Sequence, residues 1–277
     1  NIKTVASSLN RLPFPDKSFD LVILNGVLEW VAFGQDLVLE KHWGEKRKDS
    51  PVKYEKSPRD MQLDVLRELN RVLKPNGSLF LAIENAIGYR YLTGLDPDPH
   101  VNIRFLTFLP RKASNFISKV RLNHEYRVYI YSPKECHKIL NESGFNRKEF
   151  YGAFDHYGAP QKVIPHRIVG GSKKIICNLG RSARWFYKFI PNFLAENFSP
   201  SLMVVAGKDG KDTDFRPRIL RLLKKANLLH EDDISLKDVI YYGGRAGNHM
   251  TSNYLIADRK TEAFEYFCKV GRHKDKV

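Results

Sequence analysis

The chain has 277 residues, 42% of them hydrophobic, with 46 Lys and Arg against 31 Asp and Glu for a formal charge of +15. That length holds one substantial core, or one core and a smaller module, and the charge suits an anionic partner (nucleic acid, an anionic lipid surface or a phosphorylated substrate) as well as a plain, solvated basic surface. Cys136, Cys177 and Cys268 lie far apart with no CxxC or Cys/His spacing, which argues against a metal motif or a disulfide framework and fits a reducing cytoplasm; no signal-peptide pattern and no apolar stretch near the roughly 18 residues of a membrane span are visible.

Near the amino end, "LPFPDKSFDLVILNGVLEWV" (12–31) sets the unbroken apolar run Leu21–Leu24 between Asp20 and Asn25-Gly26. The run reads as a strand buried on both faces of a parallel sheet, with its carboxyl end at Asn25-Gly26, where an open α/β sheet receives its ligand. Ser57-Pro58-Arg59-Asp60 has the form of a capping box with Pro at the first helical position, and Leu66, Leu69 and Leu73 recur at helical spacing, predicting a helix. Lys74-Pro75-Asn76-Gly77 is expected to stop it, and "SLFLAIEN" (78–85) reads as a second buried strand whose carboxyl end carries Glu84 and Asn85. Ser132-Pro133-Lys134-Glu135 repeats the capping device, predicting a helix over 133–143 with Gly144 as its stop. "FNRKEFYGAF" (145–154) and "SLMVVAGK" (201–208) predict two more strands separated by a long insertion. Beyond them lie a polar linker (209–216), a basic amphipathic helix "RPRILRLLKKANLL" (216–229) and a new set of strands over 241–270.

The series "LPFPDKSFDLVILNGVLEWV", "LRELNRVLKPNGSLFLAIEN" and "YSPKECHKILNESGF", continued through "AIENAIGYRYLTGLDPDPH", resembles the second half of class I S-adenosylmethionine-dependent methyltransferases over most of residues 1–208. The resemblance implies an α/β, partial Rossmann-like methyltransferase sheet (fourth to seventh strands) with insertions, and S-adenosyl-L-methionine as cofactor. It puts Ser8 and Leu9 on the adenine side, where many family members carry an acid in place of Ser8, and Leu24, Asn25, Gly26 and Val27 beside the methionine moiety. The family binds its cofactor chiefly through a Gly-rich turn after the first strand and an acid ending the second, and neither precedes this phrase; "GGRAG" (243–247) stands in another context. The chain therefore reads as an amino-terminally truncated piece, expected to expose unpaired sheet edges and to bind cofactor poorly.

Methyl transfer from a sulfonium asks mainly for alignment, plus a general base where the acceptor is a hydroxyl. Glu84 and His100 are the candidate bases, with Tyr89 and Asp155 as further ones; Glu84 equally suits a strand-end acceptor, His100 a structural loop histidine, and Asp98 a turn residue. No metal site is expected. In the insertion 156–199, "RSARWFYKFIPNFLAENF" puts Trp185, Phe186, Phe189, Ile190, Phe193 and Leu194 at helical spacing beside Arg181, Arg184 and Lys188. This is either an interfacial segment meeting a lipid-linked acceptor or a lid over the acceptor pocket, interrupted by Pro191. The basic stretches at 41–48 and 171–184 read as solvated surface.

"IYYGGRAGNHMTSNYLIADRKTEAFEYFCKV" resembles the opening strands of a kinase or aminoglycoside-phosphotransferase-like small lobe, which implies a loop role for Gly244 and Gly247 and an ATP-phosphate role for Lys269; a plain hairpin with an exposed lysine is the alternative. The expected organisation is a partial methyltransferase domain over 1–208, a linker and basic helix over 209–234, and a small β-rich, kinase-like segment over 235–277. The expected function is methyl transfer to an oxygen of a glycan or other cell-envelope intermediate, in the cytoplasm or at the inner face of the membrane. RNA methylation and a non-catalytic binding or scaffold module are the other readings.

Overall fold

The computed structural model describes residues 3–32, 55–98, 101–177, 180–208, 237–242, 251–258, 261 and 264–271. Its strands are β1 (Phe19–Asn25), β2 (Leu73–Glu84), β3 (Arg147–Phe154), β4 (Lys162–Pro165), β5 (Ser201–Gly207), β6 (Lys237–Tyr242), β7 (Thr251–Asp258) and β8 (Phe264–Gly271). They form one mixed sheet in the order β1-β2-β5-β3-β4-β6-β7-β8. β1 and β2 run parallel, Leu21 facing Ser78 and Asn25 facing Ala82; β5 lies antiparallel between β2 and β3. The parallel pair needs a crossover, and the helix before β2 provides it.

That helix, α1 (Pro58–Val72), starts where the cap predicted: the Ser57 hydroxyl accepts the Asp60 N–H at 3.2 Å, and Pro58 occupies the first turn. Its end comes earlier than expected. Leu73 is already extended and fully buried, paired with Phe19, so Lys74–Gly77 belong to β2. Three short or middle-sized helices follow: α2 (Tyr89–Leu92), α3 (Arg111–Leu122) and α4 (Pro133–Glu142). In α4 the capping box is reciprocal, with Glu135 N–H on Ser132 Oγ at 3.3 Å and Ser132 N–H on Glu135 Oε2 at 3.0 Å. Gly144, at φ +84°, ends it in the left-handed conformation that glycine adopts without steric cost.

Leu63, Leu66 and Leu69 of α1 and Ile139 and Leu140 of α4 pack with Leu79, Leu81 and Ile83 of β2 and Leu202 and Val204 of β5 in the main core. The insertion contributes α5 (Lys173–Cys177), α6 (Arg181–Phe189) and α7 (Asn192–Ala195). Its Phe186 and Tyr187 join Tyr89, Phe154, Ile164 and Ile168 in a second cluster.

The structure corrects the expectation for Leu21–Leu24. β1 lies at the sheet margin and is not buried on both faces: Leu24 faces the core, but Leu21 and Ile23 are 46% and 63% exposed. A strand paired on one side only keeps its alternate side chains in water unless another layer covers them. At the other end, β6, β7 and β8 form an antiparallel meander joined to the sheet through Lys162↔Tyr242 and Val163↔Tyr241. The expected strands over 241–270 are thus present, and they continue the sheet. The linker and basic helix expected over 209–234 lie outside the described residues, as do Gly244 and Gly247; Lys269 stands on β8 opposite Asn253.

Candidate active site

The carboxyl ends of β1 and β2 lie side by side. After β1 the chain turns at Gly26, whose φ of +64° suits glycine, and Gly26 N–H donates to Ala82 O of β2 at 2.9 Å. A 3-10 turn, Leu28–Trp30, then carries Glu29 inward to complete burial. Gln62 of α1 holds this turn, donating from Nε2 to Leu28 O at 2.8 Å and to Tyr129 O at 2.9 Å, while Tyr131 donates to its Oε1.

Glu84 ends β2 and is 4% exposed. It lies against Glu29, whose carboxyl is pushed up to about 8 by burial first and by the Glu84 charge second. Two acids in one dry site cannot both ionise cheaply, so the pair retains a proton near neutrality. Glu29 Oε2 is buried without a hydrogen-bond partner. From the loop after β3, Tyr157 donates its hydroxyl to Glu29 Oε1 at 3.2 Å, and His156 Nε2 approaches Glu84 Oε1 at 3.5 Å. Burial and then the two carboxyl groups hold the Tyr157 phenol well above its ordinary range, so it stays a donor.

Tyr157 also covers Gly26. A β-carbon at Gly26 would stand 2.3 Å from the Tyr157 hydroxyl. Gly26→Ala combines that clash with a left-handed backbone, and is expected to cost roughly 1–3 kcal/mol of stability in urea unfolding; an unchanged midpoint would show that the loop is not seated there.

The other predicted residues are placed as follows. Asn85 is fully buried as a clamp, donating from Nδ2 to Asn197 O at 2.7 Å and Ser199 O at 2.8 Å. Leu24 points into the core, Val27 packs on its border, and Asn25 is exposed. Ser8 is an exposed turn residue bonded to Asn10 Oδ1, and Leu9 packs on the core; neither is hydrogen-bonded to the carboxyl pair. Tyr89 lies in the aromatic cluster with Phe186 and Tyr187, where burial raises its phenol. Asp155, at φ +75°, accepts from Gln161. Asp98, read as a turn residue, is buried and accepts the Tyr126 hydroxyl at 2.7 Å and the Val101 N–H at 3.0 Å. His100 lies outside the described residues.

Glu29, His156 and Tyr157 were not singled out in the sequence. Glu29 had a signal, as the lone acid in the apolar run Val27–Val31; Tyr157 had none, being 128 positions from its partner. No group of three metal-ligating side chains occurs among the described residues.

Residues 1–42 match the model of a family described as a methyltransferase domain, a span that includes β1, Gly26 and Glu29. No curated protein matches the chain at a significant level. Among solved structures the chain is similar to a possible histamine N-methyltransferase of Thermotoga maritima, at 14% identity and TM-score 0.36 over 73% of this chain and 62% of that one. It is also similar to a SAM-dependent methyltransferase of Archaeoglobus fulgidus, at 14% identity and TM-score 0.29 over 70% and 62%. A third is PKMT2 of Rickettsia typhi in complex with AdoHcy, at 13% identity and TM-score 0.33 over 95% and 49%. The chain spans less than two thirds of each of these proteins.

Proposed function

We propose that the protein serves S-adenosylmethionine-dependent methyl transfer to a hydroxyl oxygen, with a glycan or other cell-envelope intermediate as the acceptor class. The observation that carries this reading is the buried Glu29–Glu84 pair beside a glycine turn at the ends of parallel strands, within or next to the span that matches a methyltransferase domain. Such strand ends are where open α/β sheets hold ligands.

The residues fit a cationic donor. A positive sulfonium suits two buried carboxyl groups, the bare Glu29 Oε2 and an aromatic ring, since each stabilises positive charge in a dry site. The donor, when bound, supplies a methyl group already activated for displacement. Gly26 offers close backbone approach once Tyr157 swings aside, while Ser8 and Leu9 keep the adenine side that the family likeness gives them. Glu84 takes the acceptor hydroxyl proton on a carboxylate oxygen, and Glu29, carrying its own proton, steadies the resulting pair. Tyr157 and His156 close the site against water.

Transfer of a labelled methyl group from S-adenosylmethionine to hydroxyl-bearing glycans tests the proposal. Glu84→Gln is expected to lower kcat by roughly 10²- to 10⁴-fold while S-adenosylhomocysteine binding persists. Calorimetry that finds no binding of either nucleoside, by this chain or by a longer one extended at its amino end, would sink the reading in favour of a non-catalytic module.

A further inference from the structure

We infer that the outer face of α6, continued through α7, is a docking surface for an anionic lipid bilayer. Within α6 the side chains divide cleanly. Ala183, Phe186 and Tyr187 are buried, Phe186 packing tilted against Tyr89 and Tyr187 edge-on against Tyr89 and Phe154, so the helix is pinned on its inner side. Arg181, Arg184, Trp185, Lys188 and Phe189 all face out. Trp185 is 64% exposed, Phe189 67% and, two residues beyond Pro191, Phe193 76%. Leaving apolar surface of this size in water is unfavourable, and contiguous exposed aromatics mark an interaction site.

The composition selects the occupant. From Arg181 to Ala195 the chain contains no acid, whereas Arg181, Arg184 and Lys188 flank the aromatic side chains. Lys188 sits 5.8 Å from the centre of the Phe189 ring, and Trp185 meets Phe189 edge-on at 5.8 Å. Aromatic anchors interleaved with cations on a flat-lying helix are what a headgroup layer of negative charge accepts: rings at the acyl boundary, guanidinium and ammonium groups at the phosphates. No helix among the described residues is long and apolar enough to cross a membrane. A nine-residue helix is too short for the roughly 20 residues of a bilayer span, so α6 would lie on the surface, and the contact requires nothing of the carboxyl site.

Co-sedimentation of the full chain with phosphatidylcholine vesicles, with and without phosphatidylglycerol, tests the inference. Binding is expected on the anionic vesicles and should weaken steeply with added salt. The variant Trp185→Ser/Phe189→Ser/Phe193→Ser should bind on the order of tenfold more weakly, and Arg181→Gln/Arg184→Gln/Lys188→Gln should lose the preference for phosphatidylglycerol. All six side chains are exposed, so the circular dichroism of both variants should match the parent. Absence of binding, or equal binding by the aromatic variant, overturns the inference. So does an equal loss in Phe116→Ser/Val120→Ser on α3, which are 69% exposed each and report general stickiness. A dimer in sedimentation velocity that the aromatic variant dissolves would assign the face to a second copy instead.

Discussion

Glu29→Gln should abolish a decline in stability that the parent protein shows between mildly acidic and mildly basic pH. Glu29 is completely buried, and its carboxyl is held at about 8 against an ordinary 4.5 by burial and by Glu84. Because the folded-state value is the higher one, the unfolded chain releases this proton first as pH rises. Below the ordinary value both states are protonated and the group costs nothing. Between the two values stability falls with each pH step, and above about 8 the penalty is complete. A shift of this size corresponds to roughly 3–5 kcal/mol, since each unit is worth about 1.4 kcal/mol. The Gln variant has no proton to lose, so it should be the more stable protein on the basic side by about that margin, relative to the difference on the acidic side. Urea unfolding at a series of pH values measures this directly. Parallel curves for the two proteins would mean that Glu29 and Glu84 do not share a dry site.

The second large effect is expected at Asn85. Its amide donates two hydrogen bonds into the segment leading to β5, at Asn197 O and Ser199 O, and its Oδ1 accepts the Ile87 N–H at 3.2 Å. Asn85→Asp removes both donors and sets a carboxylate oxygen against two buried carbonyls. Unsatisfied buried groups and an unpaired buried charge together cost roughly 3–5 kcal/mol. Asn85→Ala, which leaves the carbonyls bare but adds no charge, should cost roughly 2–3 kcal/mol. Since Glu84 precedes Asn85 directly, both substitutions should also disturb the carboxyl pair. An Asp variant as stable as the parent would remove the clamp from this account.

Much of the fold was legible because it rests on interactions only a few residues long. Ser57 and Ser132 announced α1 and α4 by their spacing to Asp60 and Glu135, and Gly144 announced a left-handed stop. The strands over 78–85, 145–154 and 201–208 were evident from apolar runs between turn residues, to within a few positions. Glu84 was chosen for its strand-end position, and the structure places it at the carboxyl pair. The failures were of another kind. The apolar run Leu21–Leu24 describes an interior strand equally well whether or not a neighbour lies on each side, and only pairing makes β1 marginal. Nothing local to Tyr157 indicates that it caps Gly26.

The amino-acid sequence thus determined where α1 and α4 begin, that a glycine stops α4, and that a basic, aromatic segment runs from Arg181 to Phe193, because caps, periodicity and charge are properties of short stretches. The tertiary structure alone decided that Glu29 meets Glu84 beneath Tyr157, that β1 lies at the margin, and that Phe186 turns inward while Trp185 and Phe189 turn out. Burial, and with it the protonation of a carboxyl group, depends on what packs against a residue from far along the chain, and that is settled only when the sheet assembles.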